Sequence, residues 1–181
     1  MAYSVDTLIS NTLQTGVISV AYNNTGNYLQ TPVMFYNQRL DNVSIAGGST
    51  VTVTSLPAGF FANDGDVLEV YVEGNTATVA GTTRFVRLNV CGSGYETFNL
   101  KANTGGLWRV TFSIARVNAT RCDSNGIGSH ADFISTFGNP NKNTSTSFNT
   151  ASGNILLQFG GTNAGDVIVN MVRMRYISAQ S

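Results

Sequence analysis

The feature that most constrains this chain is a side-chain alternation of period two. Across residues 107–117, Trp108, Val110, Phe112 and Ile114 fall on one side, and Arg109, Thr111 and Ser113 fall on the other. Successive residues of an extended chain point to opposite faces. Such a run is therefore a strand with one buried and one solvated face, as in an antiparallel sheet. The pattern recurs at 66–73, with Leu68, Val70 and Val72 on one face. It recurs again at 84–90, where Val86, Leu88 and Val90 oppose Phe85, Arg87 and Asn89. Residues 50–56, 95–101, 154–159 and 166–178 fit the scheme less sharply. Residues 131–137 also read as a strand, although Ser129-His130-Ala131-Asp132 is compatible with a short helical start.

Turn-forming residues separate these runs: Asp64-Gly65, Glu73-Gly74-Asn75, Gly92-Ser93-Gly94, Asn125-Gly126 and Gly160-Gly161-Thr162-Asn163. A turn signal roughly every 8–12 residues is the rhythm of an all-β sandwich or barrel. About eight strands from residue 50 onward suit a two-sheet antiparallel jelly-roll sandwich. Earlier in the chain, residues 16–22 and 33–36 look like extra strands. The expected organisation is thus an N-terminal arm or additional strands over 1–45 and a jelly-roll domain over 46–181, with no linker between them.

Composition narrows the function. Charged residues make up 11% of the chain, against about 25% in an average soluble domain. Ten Lys and Arg balance ten Asp and Glu. With no basic surplus to neutralise phosphates, nucleic acid is not expected as a partner. No apolar run approaches the ~20 residues of a membrane helix, and the first ten residues lack the basic start and apolar stretch of a signal peptide. So few charges leave little protection against association, which suits a surface partly covered in an assembly. The final strand points the same way. Beside the face carrying Ile168, Val172, Met174 and Tyr176, its second face carries Val167, Val169, Met171 and Ile177 along with Arg173 and Arg175. Apolar residues on both faces imply a covered outer face. The cover is either the N-terminal segment folding back or a neighbouring subunit. Val167, Val169, Met171, Arg173 and Arg175 are therefore candidate subunit-interface residues.

The sequence offers little reactive chemistry. The single histidine, His130, belongs to no nucleophile, zinc-protease or phosphate-loop motif. Cys122-Asp123 and His130-x-Asp132 match no zinc spacing, and His130 is expected in a loop or at a strand edge. Cys91 and Cys122 are read as thiols rather than a disulfide. Asp64, Asp66, Glu69 and Glu73 lack the spacing of a calcium loop, and a turn with an Asx cap is the expected role of the first two. Trp108 belongs to the core rather than to a sugar platform. The sequons at Asn23, Asn42, Asn118 and Asn143 are expected by chance in a chain this rich in Asn, Ser and Thr. No catalytic residue, metal or cofactor is expected.

The order of segments carries a resemblance. Leu56-Pro57 precedes Gly65-Asp66-Val67-Leu68-Glu69-Val70, and then comes Thr83-Arg84-Phe85-Val86-Arg87-Leu88. A Gly-Gly turn leads to the strand from Leu107 to Arg116, and Ala164-Gly165-Asp166-Val167-Ile168-Val169 opens the last strand. This succession, over residues 50–178, resembles the jelly-roll domains on tailed-phage virions: head decoration (cement) proteins and fibre tips. The resemblance implies a homotrimer that binds the major capsid protein and stabilises its lattice. It also implies a place on the virion surface after assembly in the host cytoplasm. The alternative is a receptor-binding tail- or head-fibre tip, for which Tyr22, Tyr28 and Tyr95 are the aromatic candidates. The absence of an extended stalk pattern favours decoration.

Overall fold

A computed structural model describes residues 33–45, 49–56, 60–61, 63–77, 84–90, 95–101, 103–143, 153–160 and 166–179. Within them, ten strands form two antiparallel sheets packed as a sandwich. The larger sheet runs β1 (Val33–Ile45), β10 (Val167–Ile177), β3 (Val67–Thr76), β6 (Gly106–Asn118), β7 (Arg121–His130) and β8 (Phe133–Asn143). The smaller runs β2 (Ser49–Leu56), β9 (Gly153–Gly160), β4 (Arg84–Val90) and β5 (Tyr95–Leu100). The strand β1 lies inside the expected N-terminal segment, yet it pairs along β10 as a member of the larger sheet. Residues 16–22 lie outside the described residues.

Alternation drives the two sheets together. Along β3, half-buried and buried positions succeed one another without a break. The inward side chains Leu68, Val70, Val72, Trp108, Val110, Phe112 and Ile114 meet Val86, Leu88, Phe98, Leu100, Leu157 and Phe159 from the opposite sheet. Each such side chain contributes about 1.5–3 kcal/mol on leaving water. Trp108 is fully buried, as its place in the pattern requires.

Two expected turns are strand instead. Glu73-Gly74-Asn75 lies within β3, where Gly74 is the register partner of Trp108. A Cβ at position 74 would sit 2.5 Å from Trp108 Cζ2 and 1.9 Å from the Ile168 carbonyl oxygen. The glycine is there to admit the indole. Asn125-Gly126 lies within β7, a strand that alternation does not reveal because its inward positions are Cys122, Ser124, Gly126, Gly128 and His130. Small residues suffice there because aromatic rings fill the space. A Cβ at Gly126 would lie 2.3 Å from Phe137, and one at Gly128 would lie 2.4 Å from Phe98. Hence, among the described residues, nine strands run from Ser49 onward where about eight were expected. The helical alternative at Ser129–Asp132 gives way to a two-residue turn, Ala131-Asp132, that joins β7 to β8. Ala131 adopts φ 51° there, and its N–H donates to the Leu107 carbonyl at 3.1 Å.

The final strand corrects the expectation of an outer apolar stripe. The pairing of β10 with β3 shifts register between Val169 and Met171. A bulge inserts one extra residue and reverses which face each later side chain occupies. Val167 and Val169 before it, and Val172 and Met174 after it, all point into the core with no exposed surface. A single alternating phase through 166–178 is therefore wrong. Val167 and Val169 are core residues, whereas Arg173 and Arg175 are exposed and Met171 is half-buried.

Candidate functional site: the outer face of the larger sheet

Cross-strand register places the outward side chains of the larger sheet in rows. Met171, Glu73, Arg109, Ser129 and Ile134 form one row. Arg173, Tyr71, Thr111, Ile127 and Thr136 form the next, and Arg175, Glu69, Ser113 and Asn125 a third. The face has two halves of different character. Over β10, β3 and β6 it is charged. Arg175 Nε donates to Glu69 Oε2, and the Tyr71 hydroxyl donates to Glu73 Oε2 at 2.5 Å. Partial burial, followed by the bond to Glu73 and its charge, raises the Tyr71 phenol above its ordinary range, while Arg109 and Arg173 pull it back. A shallow groove of about 240 Å³ opens between Glu69, Tyr71, Thr111, Arg173 and Arg175.

Over β6, β7 and β8 the same face sets exposed aliphatic side chains among neutral polar ones such as Thr111, Ser129 and Thr136. Leu107, Ile127 and Ile134 are 62%, 51% and 68% exposed. Ile127 and Ile134 are diagonal neighbours on adjacent strands, close enough for their side chains to form one patch. Of the expected interface residues, Met171, Arg173 and Arg175 thus stand on this outer face, and Val167 and Val169 do not. The aliphatic patch escapes sequence reading because Ile127 lies in a glycine-broken segment. Only its alternation with Gly126 and Gly128 hints at an outward position.

His130 is neither in a loop nor at an open edge. It is fully buried at the end of β7. The main-chain N–H of Lys101 donates to Nδ1 at 2.9 Å, and Nε2 lies 2.8 Å from Thr76 Oγ1. Burial first, then the charges of Arg84 and Lys101, hold its pKa below the ordinary histidine value, with Asp132 opposing them. Both ring nitrogens are engaged, so no lone pair is left to accept a substrate's proton. Beside it the buried Arg84 guanidinium donates to the carbonyls of Ala77 at 2.7 Å, Thr104 at 2.9 Å and Lys101 at 3.2 Å.

The acidic residues near 64–73 have separate duties. Buried Asp66 accepts the N–H of Asn63 on Oδ2 and that of Ala179 on Oδ1, each at 2.8 Å. Asp64 accepts from Arg116 Nε at 2.9 Å, and Arg116 Nη1 donates to the Phe61 carbonyl. The expected turn is present, with the Asp66 N–H donating to the Asn63 carbonyl at 3.1 Å, but in place of an Asx cap the two carboxylates reach Asn63, Ala179 and Arg116. Among the described residues, no three His, Cys, Asp or Glu side chains gather as a metal-binding group. Cys122 is buried in the core, while Cys91, Tyr22 and Tyr28 lie outside the described residues. Tyr95 opens β5. No protein-family model matches the chain, and no curated protein matches it.

Proposed function

We propose that the chain is a structural virion protein, a capsid decoration protein that assembles as a trimer and binds the major capsid protein. The strand order carries this reading. In one sheet β1, β10, β3 and β6 are neighbours, and in the other β2, β9, β4 and β5. That interleaving fits two interlocked Greek keys, the jelly roll, with β7 and β8 as a hairpin added to one edge. The fold hosts many functions, so the choice among them rests on the resemblance of the segments to virion jelly rolls and on the surface. An outer face that combines an aliphatic patch with Arg173, Arg175 and Met171 offers a contact suited to sister copies. Linking three copies turns a weak lattice contact into a strong one through effective concentration.

The test is assembly. Light scattering on the purified chain is expected to give three copies per particle, and the chain is expected to co-sediment with capsids. Ile127→Asp and Ile134→Asp place charges at exposed positions, and should leave the fold intact and reduce the particle to one copy. A wild-type chain that stays monomeric at high concentration overturns the trimer. Adsorption to host cells without capsid retention replaces decoration by receptor binding.

A further inference from the structure

We propose that His130 is an acid-sensitive clasp that fastens the two sheets at one end of the sandwich, and that its protonation releases the segment joining β5 to β6. The direction of every hydrogen bond around the ring is forced. A main-chain N–H can only donate, so Nδ1 facing Lys101 must carry a lone pair. The neutral ring then holds its hydrogen on Nε2 and donates it to Thr76 Oγ1. The Thr76 hydroxyl has one hydrogen of its own, with the carbonyls of Thr104 at 3.1 Å and Gly106 at 3.3 Å as acceptors. One neutral imidazole therefore links β7 to Lys101 at the end of β5, and through Thr76 of β3 to the segment before β6.

A second proton has no place in this arrangement. It would sit on Nδ1 and point at the Lys101 N–H, two donors face to face. The new charge would meet the buried Arg84 guanidinium from β4 and the Lys101 ammonium beyond β5. Among the described residues, the opposing charge facing the ring is Asp132 in the β7–β8 turn, whose carboxylate pairs with Lys101 Nζ at 2.6 Å. From β6 the register partner is the neutral Trp108. Relief comes from letting Lys101 and the residues after it move away. The clasp is independent of what the outer face binds.

The sign follows from linkage. The folded ring holds its proton less tightly than the unfolded ring. Stability is therefore full above the ordinary histidine range, falls as pH drops from about 6.5 through the folded pKa, and levels off below it. One coupled proton sets the steepest loss at about tenfold per pH unit. The experiment is hydrogen exchange at the Lys101 amide in the full chain, corrected for intrinsic pH dependence, between about pH 7.5 and 4.5. The His130 ring nitrogens are followed by NMR over the same range.

At neutral pH the ring is expected as the Nε2–H tautomer with Lys101 protected, and protection should fall as the ring titrates. His130→Asn puts a non-titrating oxygen where Nδ1 was, so its Lys101 protection stays constant over the same window. Protection that persists while the wild-type ring gains its proton overturns the proposal. So does a His130→Asn variant that loses protection in step with wild type. Should that variant fail to fold, the wild-type ring titration and Lys101 exchange decide the matter by themselves.

Discussion

The two ends of the sandwich solve one problem with opposite chemistry. At each end a buried guanidinium is joined to loop backbone by hydrogen bonds. The ends are about 33 Å apart along β3, the length of a ten-residue strand. At the start of β3, the acceptor-rich carboxylate of Asp66 collects main-chain N–H groups from Asn63 and Ala179, while Arg116 reaches Asp64 and the Phe61 carbonyl. Tyr176 adds its phenol. Burial, the bond to Asp66 and the Asp66 charge together hold its hydroxyl protonated well above the ordinary tyrosine range. At the far end the donors dominate: the Arg84 guanidinium, the Lys101 N–H and one neutral imidazole. The contrast teaches that an end built on a carboxylate secures chain segments by receiving hydrogens. An end built on donors stays closed only while its buried imidazole acceptor stays unprotonated.

Replacing Arg84 by Met should break the comparison most severely. Three carbonyls lose a charged donor, and each such bond is worth about 1.5–3 kcal/mol. Part of that loss is offset because a buried charge is also removed. A net destabilisation of about 4 kcal/mol is expected, read as a lower midpoint in urea unfolding. A loss under about 1 kcal/mol would mean that water reaches these carbonyls and that the donor-rich end is not sealed. Asp66→Ala comes next, at about 3 kcal/mol, because the Asn63 and Ala179 N–H groups and the Tyr176 hydroxyl lose their acceptor. The two losses should add within about 0.5 kcal/mol, since the sites share no partner. Strong coupling between them would show that the ends are one structural unit.

What the sequence discloses of this molecule follows from whether a strand writes its burial in apolar residues. β3, β4 and β6 do so, and their alternation places Leu68, Val86 and Trp108 correctly. β7 does not. Its inward Gly126 and Gly128 are small because Phe137 and Phe98 occupy the space, and those rings come from other strands. A glycine beneath a ring and a glycine in a turn look alike in one dimension. β10 fails differently. Its alternation is real on both sides of the bulge but changes phase between Val169 and Met171, so one continuous reading turns core residues into an imagined interface. The hydrogen-bonded cluster at Asp66 is half visible, since Asp64-Gly65-Asp66 announces a turn. The arrival of Ala179, 113 residues away, is long-range and leaves no local trace. The clasp at His130 is invisible for the same reason, because Thr76, Arg84 and Lys101 are gathered by topology alone.

The smallest expected effect is also the one that separates charge from packing at the donor-rich end. The Asp132 side chain is 77% exposed and its carboxylate pairs with Lys101 Nζ. That bond holds the Asp132 carboxyl below its ordinary range. An exposed pair contributes little to stability, so Asp132→Ala should leave the unfolding midpoint at neutral pH where it is. Its effect belongs on His130. The carboxylate is the charge that favours the imidazolium, against burial and the repulsion of Arg84 and Lys101. Without it the ring should titrate at a lower pH, and the Lys101 amide should keep its protection further into acid. Raising the salt concentration should shrink the difference between the variant and wild type, because Asp132 acts across solvent. A ring that titrates higher in Asp132→Ala would mean that Asp132 works by holding the Lys101 ammonium in place beside His130. Positioning, not direct attraction, would then set the acid response of this end.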